Sequence, residues 1–398
     1  MYYVKYMPYK SIISASRNRR ELAAAKESGF NTIVFSNDHS GDVNSYGIDK
    51  VLCDGALKMP MSSKPKGMIM IIRNRLRVYK NTNKIPTGIW SCHDLHSLKI
   101  AYAATRFRKQ KPLFIYDSHE FELGRNAQRN FFQQHLVMLQ EKFLMNRCVL
   151  SIMVNDSIAD EVQRIYKLKE RPIVVRSTPN YWAVDENVCK EKRKVFLDTF
   201  KEQGEETVSC MIMYHGGVVK DRGIERLIEA VSRLDGVGLV VLGNGSEGYI
   251  AQLKTLVNTV NADKKVVFHP AVPIDELWKY VGAIDISMAP IEVVVKNHYY
   301  SLPNKFFESI QSLTPIIASD VPEMKRIIEQ YQIGLTSKPG DVDDICRCIE
   351  TMRNDKDFYL QCKRNLIKAK EDLCWEKERA QLLDAFQTIQ GRRQAVKE

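Results

Sequence analysis

The chain has 398 residues, a length that predicts two or three domains of ~150 residues each. Its 44% apolar and 27% charged residues are typical of a globular protein and exclude collagen-like, disordered and coiled-coil classes. No apolar run reaches the roughly 18 residues of a membrane span, and the first residues lack the apolar stretch of a secretory signal. Nine scattered cysteines without disulfide-framework or zinc spacing indicate reduced thiols in a cytosol.

The net charge of +11 is unevenly distributed along the chain. Residues 1–185 hold 29 Lys and Arg against 16 Asp and Glu, whereas residues 186–398 hold 30 against 32. A basic first half indicates an anionic partner, and the charge alone leaves open a nucleic acid, an anionic membrane face or a phosphorylated substrate.

Short apolar runs alternate with helical patterns along the chain. The runs are rich in Val and Ile, which predicts parallel strands buried on both faces, and the alternation predicts doubly wound α/β sheets. The predicted strands are 32–35, 88–91, 113–116, 150–154, 173–175, 209–214, 238–242, 265–268, 284–288 and 315–318. The predicted helices include 19–28, 95–107, 130–146, 224–234, 248–260 and 274–281.

The stretch 177–206 interrupts this pattern, because it has a weak strand signal and contains Pro179, the charged run KEKRK and Gly204. We therefore predict Rossmann-like domains at 1–185 and 186–370, with their strand ends facing a cleft where ligands of open parallel sheets bind. A last helix, at about 371–398, is placed to pack back on the first domain.

The segment 213–223, MYHGGVVKDRG, joins the end of a strand to an amphipathic helix. Gly216 and Gly217 let the backbone approach a ligand, and Lys220 and Arg222 supply cations beside a helix start. This pattern predicts an anion site, with a plain strand–turn–helix bearing solvated charges as the alternative.

The segment 299–308, YYSLPNKFFE, begins a second helix of interest. Asn304, Lys305 and Glu308 share one face of its first turns, because they are three or four residues apart. An ammonium at a helix N-terminus can bind phosphate, and a carboxylate one turn deeper can bind a pair of sugar hydroxyls. The alternative is a capped surface helix with one Lys–Glu pair.

Together these segments resemble the C-terminal domain of GT-B glycosyltransferases, most closely the retaining glycosyltransferase family 4 of capsule and exopolysaccharide enzymes. LGNG at 242–245, VVFHP at 266–270, DISMAP at 285–290 and SLPNKFFESIQSLTPIIASD at 301–320 occur in the family's order and spacing. The resemblance is strong over 208–350 and weak in the first half. It implies that 1–185 binds the acceptor, that 186–370 binds a nucleotide-sugar, and that no metal or other cofactor is needed.

The resemblance also implies roles for single residues. Arg222 and Lys305 match contacts to the donor diphosphate, and Glu308 matches the second glutamate of a Glu–seven residues–Glu motif, which binds the ribose. Residues expected to line the base and ribose, mainly through the backbone, are Gly243, Asn244, His269 and Val272.

One position departs from the family pattern. The first glutamate of that motif is replaced by Tyr300, so Tyr300 and Ser301 are expected to meet the sugar hydroxyls differently, and the identity of the donor sugar stays open. The basic residue that follows the strand in the family is here Gly217, and Lys220 is the candidate to supply the missing contact.

In the first half, two apolar strands end in polar clusters, WSCHDLH at 90–96 and IYDSHE at 115–120. His119 matches the family position near the reactive end of the sugar. Asp117, Glu120 and His93 are its neighbours, expected to bind substrate. The alternative for such histidines is a structural role, and the His93, Asp94 and His96 spacing is only a weak metal signal.

Residues 58–84 mix a Met/Ile run with eight Lys and Arg residues. As a helix, this segment could lie on an anionic membrane or contact a lipid diphosphate. A sheet-covering helix with a basic outer face explains the pattern equally well.

The resemblance implies retaining transfer from a nucleotide diphospho-sugar, with UDP favoured and GDP also considered, to a lipid-linked or saccharide acceptor in cell-surface glycan synthesis. A same-fold nucleotide-sugar epimerase or hydrolase and a non-catalytic nucleotide-sugar-binding subunit stay open. No GxGxxG follows the first strand, which argues against a dehydrogenase, and no helix-turn-helix, RNP or zinc spacing supports nucleic-acid binding. We expect a cytoplasmic location, peripheral on the inner membrane face.

Overall fold

The computed structural model describes residues 1–10, 16–36, 48–53, 65–125 and 128–395. The chain forms two compact units, Met1–Arg176 with Glu378–Glu398, and Ser177–Lys377. The contacts thus divide the chain at Arg176, nine residues before the boundary expected at 185, and again near its end.

The first unit is built on a seven-stranded sheet in the order β3-β2-β1-β4-β5-β6-β7, in which every pair is parallel. Its strands are β1 Tyr2–Tyr6, β2 Asn31–Ser36, β3 Lys50–Cys53, β4 Ile89–Cys92, β5 Leu113–Ser118, β6 Cys148–Met153 and β7 Ile173–Val174. Its helices are α1 Ser16–Glu27, α2 Pro65–Thr82, α3 Leu95–Thr105, α4 Phe131–Met145 and α5 Asp156–Tyr166, with a 3-10 turn at Glu122–Gly124.

The central strand β1 is absent from the sequence prediction because Lys5 interrupts its apolar run, YYVKY. In the sheet, Tyr6 of β1 pairs in register with Phe35 of β2 and Cys92 of β4. Lys5 is fully buried and its ammonium is held by two carboxylates, so a charged residue occupies the middle of the sheet.

The second unit is built on a six-stranded parallel sheet in the order β10-β9-β8-β11-β12-β13. Its strands are β8 Cys210–His215, β9 Val237–Leu242, β10 Val266–His269, β11 Ile286–Ala289, β12 Ile316–Ser319 and β13 Gly334–Ser337. Its helices are α6 Glu186–Glu202, α7 Ile224–Arg233, α8 Glu247–Thr259, α9 Leu277–Val281, α10 Lys296–Tyr299, α11 Asn304–Gln311, α12 Pro322–Tyr331, α13 Val342–Asn354 and α14 Lys356–Asp372.

The last helix, α15 Trp375–Ala395, begins in the second unit and continues into the first. There Phe386 is buried, with its ring 5.2 Å from that of Tyr3 and 5.7 Å from that of Phe30. The final helix therefore completes an aromatic cluster of the first unit.

The run KEKRK lies in α6, whose Phe196 and Phe200 are buried against β8 and β9 of the second unit. The charged residues of the run occupy the other face of α6. This explains why the sequence analysis took the segment for a domain boundary and did not predict a packed helix there. All ten predicted strands are present, and the predicted fold of two doubly wound parallel sheets is confirmed. Among the described residues, no helix combines the length and apolarity needed to cross a bilayer.

Candidate functional site

In the second unit, the ammonium of Lys305 is buried beneath the carboxyl end of β8. Its Nζ lies 3.2 Å from the centroid of the Tyr214 ring and has no hydrogen-bond partner. Burial, and then the neighbouring charge of Arg222, lower the pKa of Lys305 well below its usual range. An unpaired buried ammonium is costly, and it is satisfied when an anion binds.

Gly216 leaves open the space beside that ammonium. Its φ is +113°, and a Cβ built there would lie 3.6 Å from Cε and 3.9 Å from Nζ of Lys305. Gly217, which follows, is exposed and has open space where a Cβ would be, while its carbonyl accepts a hydrogen bond from the Tyr214 hydroxyl at 2.7 Å. Gly216 thus leaves space beside the Lys305 ammonium, and the anion site expected here stays a prediction.

A histidine that sequence reasoning did not single out also lies here. His215, the last residue of β8, is completely buried, and its Nε2 is 3.2 Å from Oε2 of Glu308 on α11. Neither ring nitrogen makes a hydrogen bond of good geometry. His215 therefore adds a second unsatisfied polar side chain to the one supplied by Lys305.

Backbone hydrogen bonds connect the loops that follow β8, β9 and β10. Val218 N donates to Asn244 O at 2.9 Å, and Gly243 N donates to His269 O at 2.9 Å. The Asn244 side chain accepts from Ala271 N at 3.1 Å. A Cβ on Gly243 would lie 1.8 Å from the Gly216 carbonyl oxygen, so only glycine permits this approach.

The predicted base wall has an aromatic neighbour that the sequence did not reveal. The His269 ring lies 5.1 Å from the ring of Tyr280 and 6.0 Å from that of Phe196. Val272 is partly buried against the same cluster. These contacts give the loop after β10 a firm apolar base.

The segment before α11 carries the residues that replace the family's first glutamate. The Tyr300 ring lies 5.2 Å from that of Tyr299 and 5.7 Å from the ammonium of Lys296. The hydroxyl of Ser301 is buried without a hydrogen-bond partner, and Asn304 is exposed at the first residue of the helix.

Arg222 and Lys220 differ in their surroundings. Arg222 is partly buried just before α7 and close enough to act electrostatically on Lys305 and Tyr214. Lys220 is exposed in the loop. The structure thus brings Arg222, Lys305 and Glu308 together and leaves Lys220 at the surface.

In the first unit, Asp117 at the end of β5 is the centre of a buried charge network. Its carboxylate lies 2.8 Å from the Lys5 ammonium, 2.9 Å from the Arg17 guanidinium and 2.9 Å from His119 Nε2. Burial alone would raise the pKa of Asp117, but Arg17 and Lys5 hold it well below its usual range. Lys5 and Arg17 are members of this network that the sequence analysis did not predict.

The two predicted histidines lie against each other, with ring centroids 3.9 Å apart. His93 Nδ1 is 3.1 Å from the side chain of Asn18. Burial lowers the pKa of His93 to about 2, with the charge of His119 as the next cause, and burial lowers the pKa of His119 to about 4 against the pull of Asp117. Both imidazoles are therefore neutral at physiological pH.

Among the described residues, His93, Asp117 and His119 have ligand atoms within 4.8 Å of one another, a spacing compatible with a metal. The charges argue against one, because Lys5 and Arg17 already neutralise the carboxylate and would repel a third cation. The cluster is better suited to donating and accepting hydrogen bonds with a neutral polar ligand.

Two other predicted features lie at the surface. Glu120 is half exposed and pairs with Arg125 at 2.6 Å. Residues 58–64 of the basic segment lie outside the described residues, whereas Arg73, Arg75 and Lys80 form an exposed basic face on α2.

These features have counterparts in known proteins. Residues 209–355, within the second unit, match the family model of glycosyl transferases, group 1. The second unit therefore resembles the group 1 glycosyl transferases.

Two known proteins are similar to this chain in sequence. One is the lipopolysaccharide core biosynthesis glycosyltransferase LpsE of Rhizobium meliloti, 26% identical over 44% of this chain and 48% of the relative. The chain thus aligns with about half the length of that relative. The other is the capsular polysaccharide biosynthesis glycosyltransferase CapM of Staphylococcus aureus, 24% identical over 68% of this chain and 70% of the relative.

The fold of the chain matches that of solved structures. Anabaena HepE in complex with UDP superposes with a TM-score of 0.72 over 98% of this chain and all of HepE, at 12% identity. The predicted GT-B architecture of two Rossmann-like sheets is confirmed.

Proposed function

We propose that this protein transfers a sugar, with retention of configuration, from a nucleotide diphospho-sugar to a lipid-linked or saccharide acceptor. The observation that carries the proposal is the Lys305 ammonium, buried without a partner beside Gly216 and within the electrostatic reach of Arg222. Two cations at an accessible glycine turn match the charge of a diphosphate.

The names of the similar proteins support the same substrate class. HepE was crystallised with UDP, and the two relatives are described as glycosyltransferases of lipopolysaccharide core and capsular polysaccharide biosynthesis. A UDP-sugar is therefore the first donor to test, and a cell-surface glycan precursor the first acceptor.

In the proposed reaction, negative charge gathers on the leaving diphosphate as the glycosidic bond breaks. Arg222, Lys305 and the N-terminus of α11 near Asn304 would stabilise that charge. The acceptor hydroxyl attacks the oxocarbenium-like sugar from the face of the leaving group and passes its proton to the departing phosphate. This route needs no carboxylate nucleophile.

Other residues would bind and orient the donor. Glu308 binds the ribose hydroxyls, and the loops around Asn244 and His269 line the base. His119, neutral because of its burial, would offer a hydrogen bond to the donor sugar, with Asp117 fixing its orientation through the 2.9 Å contact. Tyr300 and Ser301 take the place of the family's first glutamate.

The basic first half, with the exposed cations of α2, supports contact with an anionic membrane that carries a phosphate-linked acceptor. We accordingly propose a cytoplasmic location at the inner membrane face.

Calorimetric titration and thermal shift with UDP, UDP-glucose and GDP test the donor assignment, because a ligand of the folded state raises the melting temperature. We expect Lys305→Ala to weaken the binding of UDP-glucose by about 1.5–3 kcal/mol, roughly tenfold to a hundredfold. The control is Lys325→Ala, which removes a lysine from an exposed ion pair of the same unit. Equal binding by both variants would contradict the diphosphate site.

A further inference from the structure

Helix α4 of the first unit carries large apolar side chains on its outer surface. The exposed fractions of Phe131 and Phe132 are 88% and 75%, and those of Leu136, Leu139 and Phe143 lie between 45% and 49%. Among the described residues, the phenylalanines with strongly exposed rings are these three and Phe107, which lies just beyond α3. Folding thus leaves exposed phenylalanine side chains on α4 and just beyond the end of α3.

The exposed side chains form a stripe, because Phe132, Leu136, Leu139 and Phe143 follow one another at spacings of four, three and four residues. The residues that α4 buries, Glu141, Leu144 and Met145, lie on the opposite face. The helix is therefore well packed through one side and presents a second apolar face outward.

The stripe continues onto the end of α3. The Tyr102 ring makes an edge contact with that of Phe143, at 5.8 Å between centroids, and lies 6.3 Å from that of Phe114. A cavity of about 260 Å³ opens beside these rings. It is lined by Tyr102, Thr105, Arg106, Phe107, Lys111 and Phe114.

Positive charge surrounds this surface. Residues 95–116 and 126–155 contain eight Lys and Arg and one acid, Glu141, which is buried. The Arg147 guanidinium lies 3.5 Å from the centroid of the Phe143 ring, and that of Arg106 lies 4.6 Å from the Phe107 ring. Aromatic rings beside cations are typical of proteins that rest on anionic lipid headgroups.

We propose that this surface, formed by Phe107, Phe131, Phe132, Leu136, Leu139 and Phe143 and called here the α4 surface, docks the protein onto an anionic lipid bilayer. The rings would enter the boundary between headgroups and acyl chains, and Arg106, Lys111 and Arg147 would contact lipid phosphates. The 4-3-4 spacing also suits a second copy of the chain. A self-association through this face would bring Arg106, Lys111 and Arg147 of both copies together, and their mutual repulsion favours lipid.

The α4 surface gives the proposed membrane contact a location different from the basic face of α2. The proposal rests on the proposed function only for the reason why the protein would bind a membrane. Lipid binding itself is measured separately from nucleotide binding. A protein that binds vesicles but not UDP-glucose would contradict the proposed function and leave the docking surface intact.

The test is flotation of the full chain with vesicles of phosphatidylglycerol or of phosphatidylcholine. The intact protein should bind phosphatidylglycerol vesicles at least about tenfold more strongly than phosphatidylcholine vesicles. The double variant with Phe131→Ser and Phe132→Ser should bind phosphatidylglycerol vesicles at least about tenfold more weakly than the intact protein does. The matched control, Leu360→Ser with Ile367→Ser, removes exposed apolar side chains from α14 and should bind as the intact protein does. The Arg106→Glu and Lys111→Glu pair should lose the preference for anionic lipid.

Three results would overturn the proposal. They are absence of vesicle binding by the intact protein, equal binding by the two serine double variants, and a concentration-dependent dimer that the Phe131 and Phe132 changes abolish. Unchanged circular dichroism and UDP-glucose affinity of the α4 variant exclude a general loss of structure as the cause.

Discussion

The Nε2 atom of His215 lies 3.2 Å from Oε2 of Glu308, a contact that joins the end of β8 to the second turn of α11. Both side chains reach a region where the nearby Lys305 ammonium is unpaired. His215 is buried and its nitrogens lack well-formed hydrogen bonds, so the imidazole has capacity to hold the glutamate in one orientation. We regard His215 as a positioning residue for Glu308.

Replacing His215 by Phe keeps a planar ring and removes the contact with Glu308. Because Glu308 is proposed to bind the ribose, we expect UDP affinity to fall about fivefold, the worth of a hydrogen bond of about 1 kcal/mol. Affinity for dideoxy-UDP, which lacks the ribose hydroxyls, should hardly change. Calorimetry on His215→Phe, Glu308→Gln and the double variant measures the affinities for both ligands. If the losses of binding free energy in the two single variants do not add up in the double variant, His215 and Glu308 act on the ribose together. Equal losses for both ligands would assign His215 a purely structural role.

Binding of a diphosphate should be coupled to proton uptake by Lys305. The pKa of the free side chain is lowered by burial and by Arg222, and a bound diphosphate raises it again. Binding therefore takes up a proton, and the affinity for UDP-glucose should fall as pH rises. Calorimetry in buffers of different ionisation enthalpy counts the protons. Lys305→Arg, which stays charged, should bind with little dependence on pH.

Acid should destabilise the protein through its buried histidines. The folded state lowers the pKa of His93 to about 2, whereas an unfolded chain takes up that proton near pH 6.5. The stabilising contribution is complete above about pH 6.5 and is lost as the pH falls toward the folded value, at about 1.4 kcal/mol per pH unit. Denaturant unfolding at several pH values should show a smaller loss for His93→Gln, and identical profiles would refute the assignment.

Glu141 should have the opposite effect. It is buried and accepts hydrogen bonds from Tyr116 and Tyr166, and burial raises its pKa to about 7. The folded state holds its proton up to a higher pH than the unfolded chain does, so the stability contributed at low pH is lost as pH rises from about 4.3 toward 7. Glu141→Gln should remove this loss, by about 1 kcal/mol per unit over that range. A variant whose unfolding free energy keeps the original slope would show that the carboxyl is already ionised.

The sequence predicted the strands that are continuous in Val, Ile or Met and missed three others. β1 is interrupted by Lys5, and β3 and β13 have only four residues each, with Lys50 or polar residues among them. Lys5 is tolerated because Asp117, distant in sequence, neutralises it in the folded sheet. A lone lysine within an apolar run is the signal that a buried ion pair leaves in a sequence.

Motif spacing was more informative for the second unit than for the first. The glycine turn and the Lys305–Glu308 helix are each short and local in sequence. Their closeness in the fold could therefore be expected from the positions of the strand end and the helix start. The network around Asp117 combines residues from β1, α1 and β5, and the contacts of Arg17 and Asn18 depend on how α1 packs. His215 was overlooked because a histidine at the end of a buried strand gives no pattern that distinguishes it from a core residue.

The chain crosses between its units twice, near Arg176 and within α15. One unit is therefore encoded by a single continuous segment of the gene and the other by two separate segments. Ser177–Lys377 is continuous, so one recombination event at each side could exchange it whole between related genes. The other unit needs the segments on both sides of it, because residues 1–176 alone leave Tyr3 and Phe30 without the Phe386 ring. A lineage that acquires a new second unit would keep most of its own α15, and with it the aromatic cluster that this helix completes.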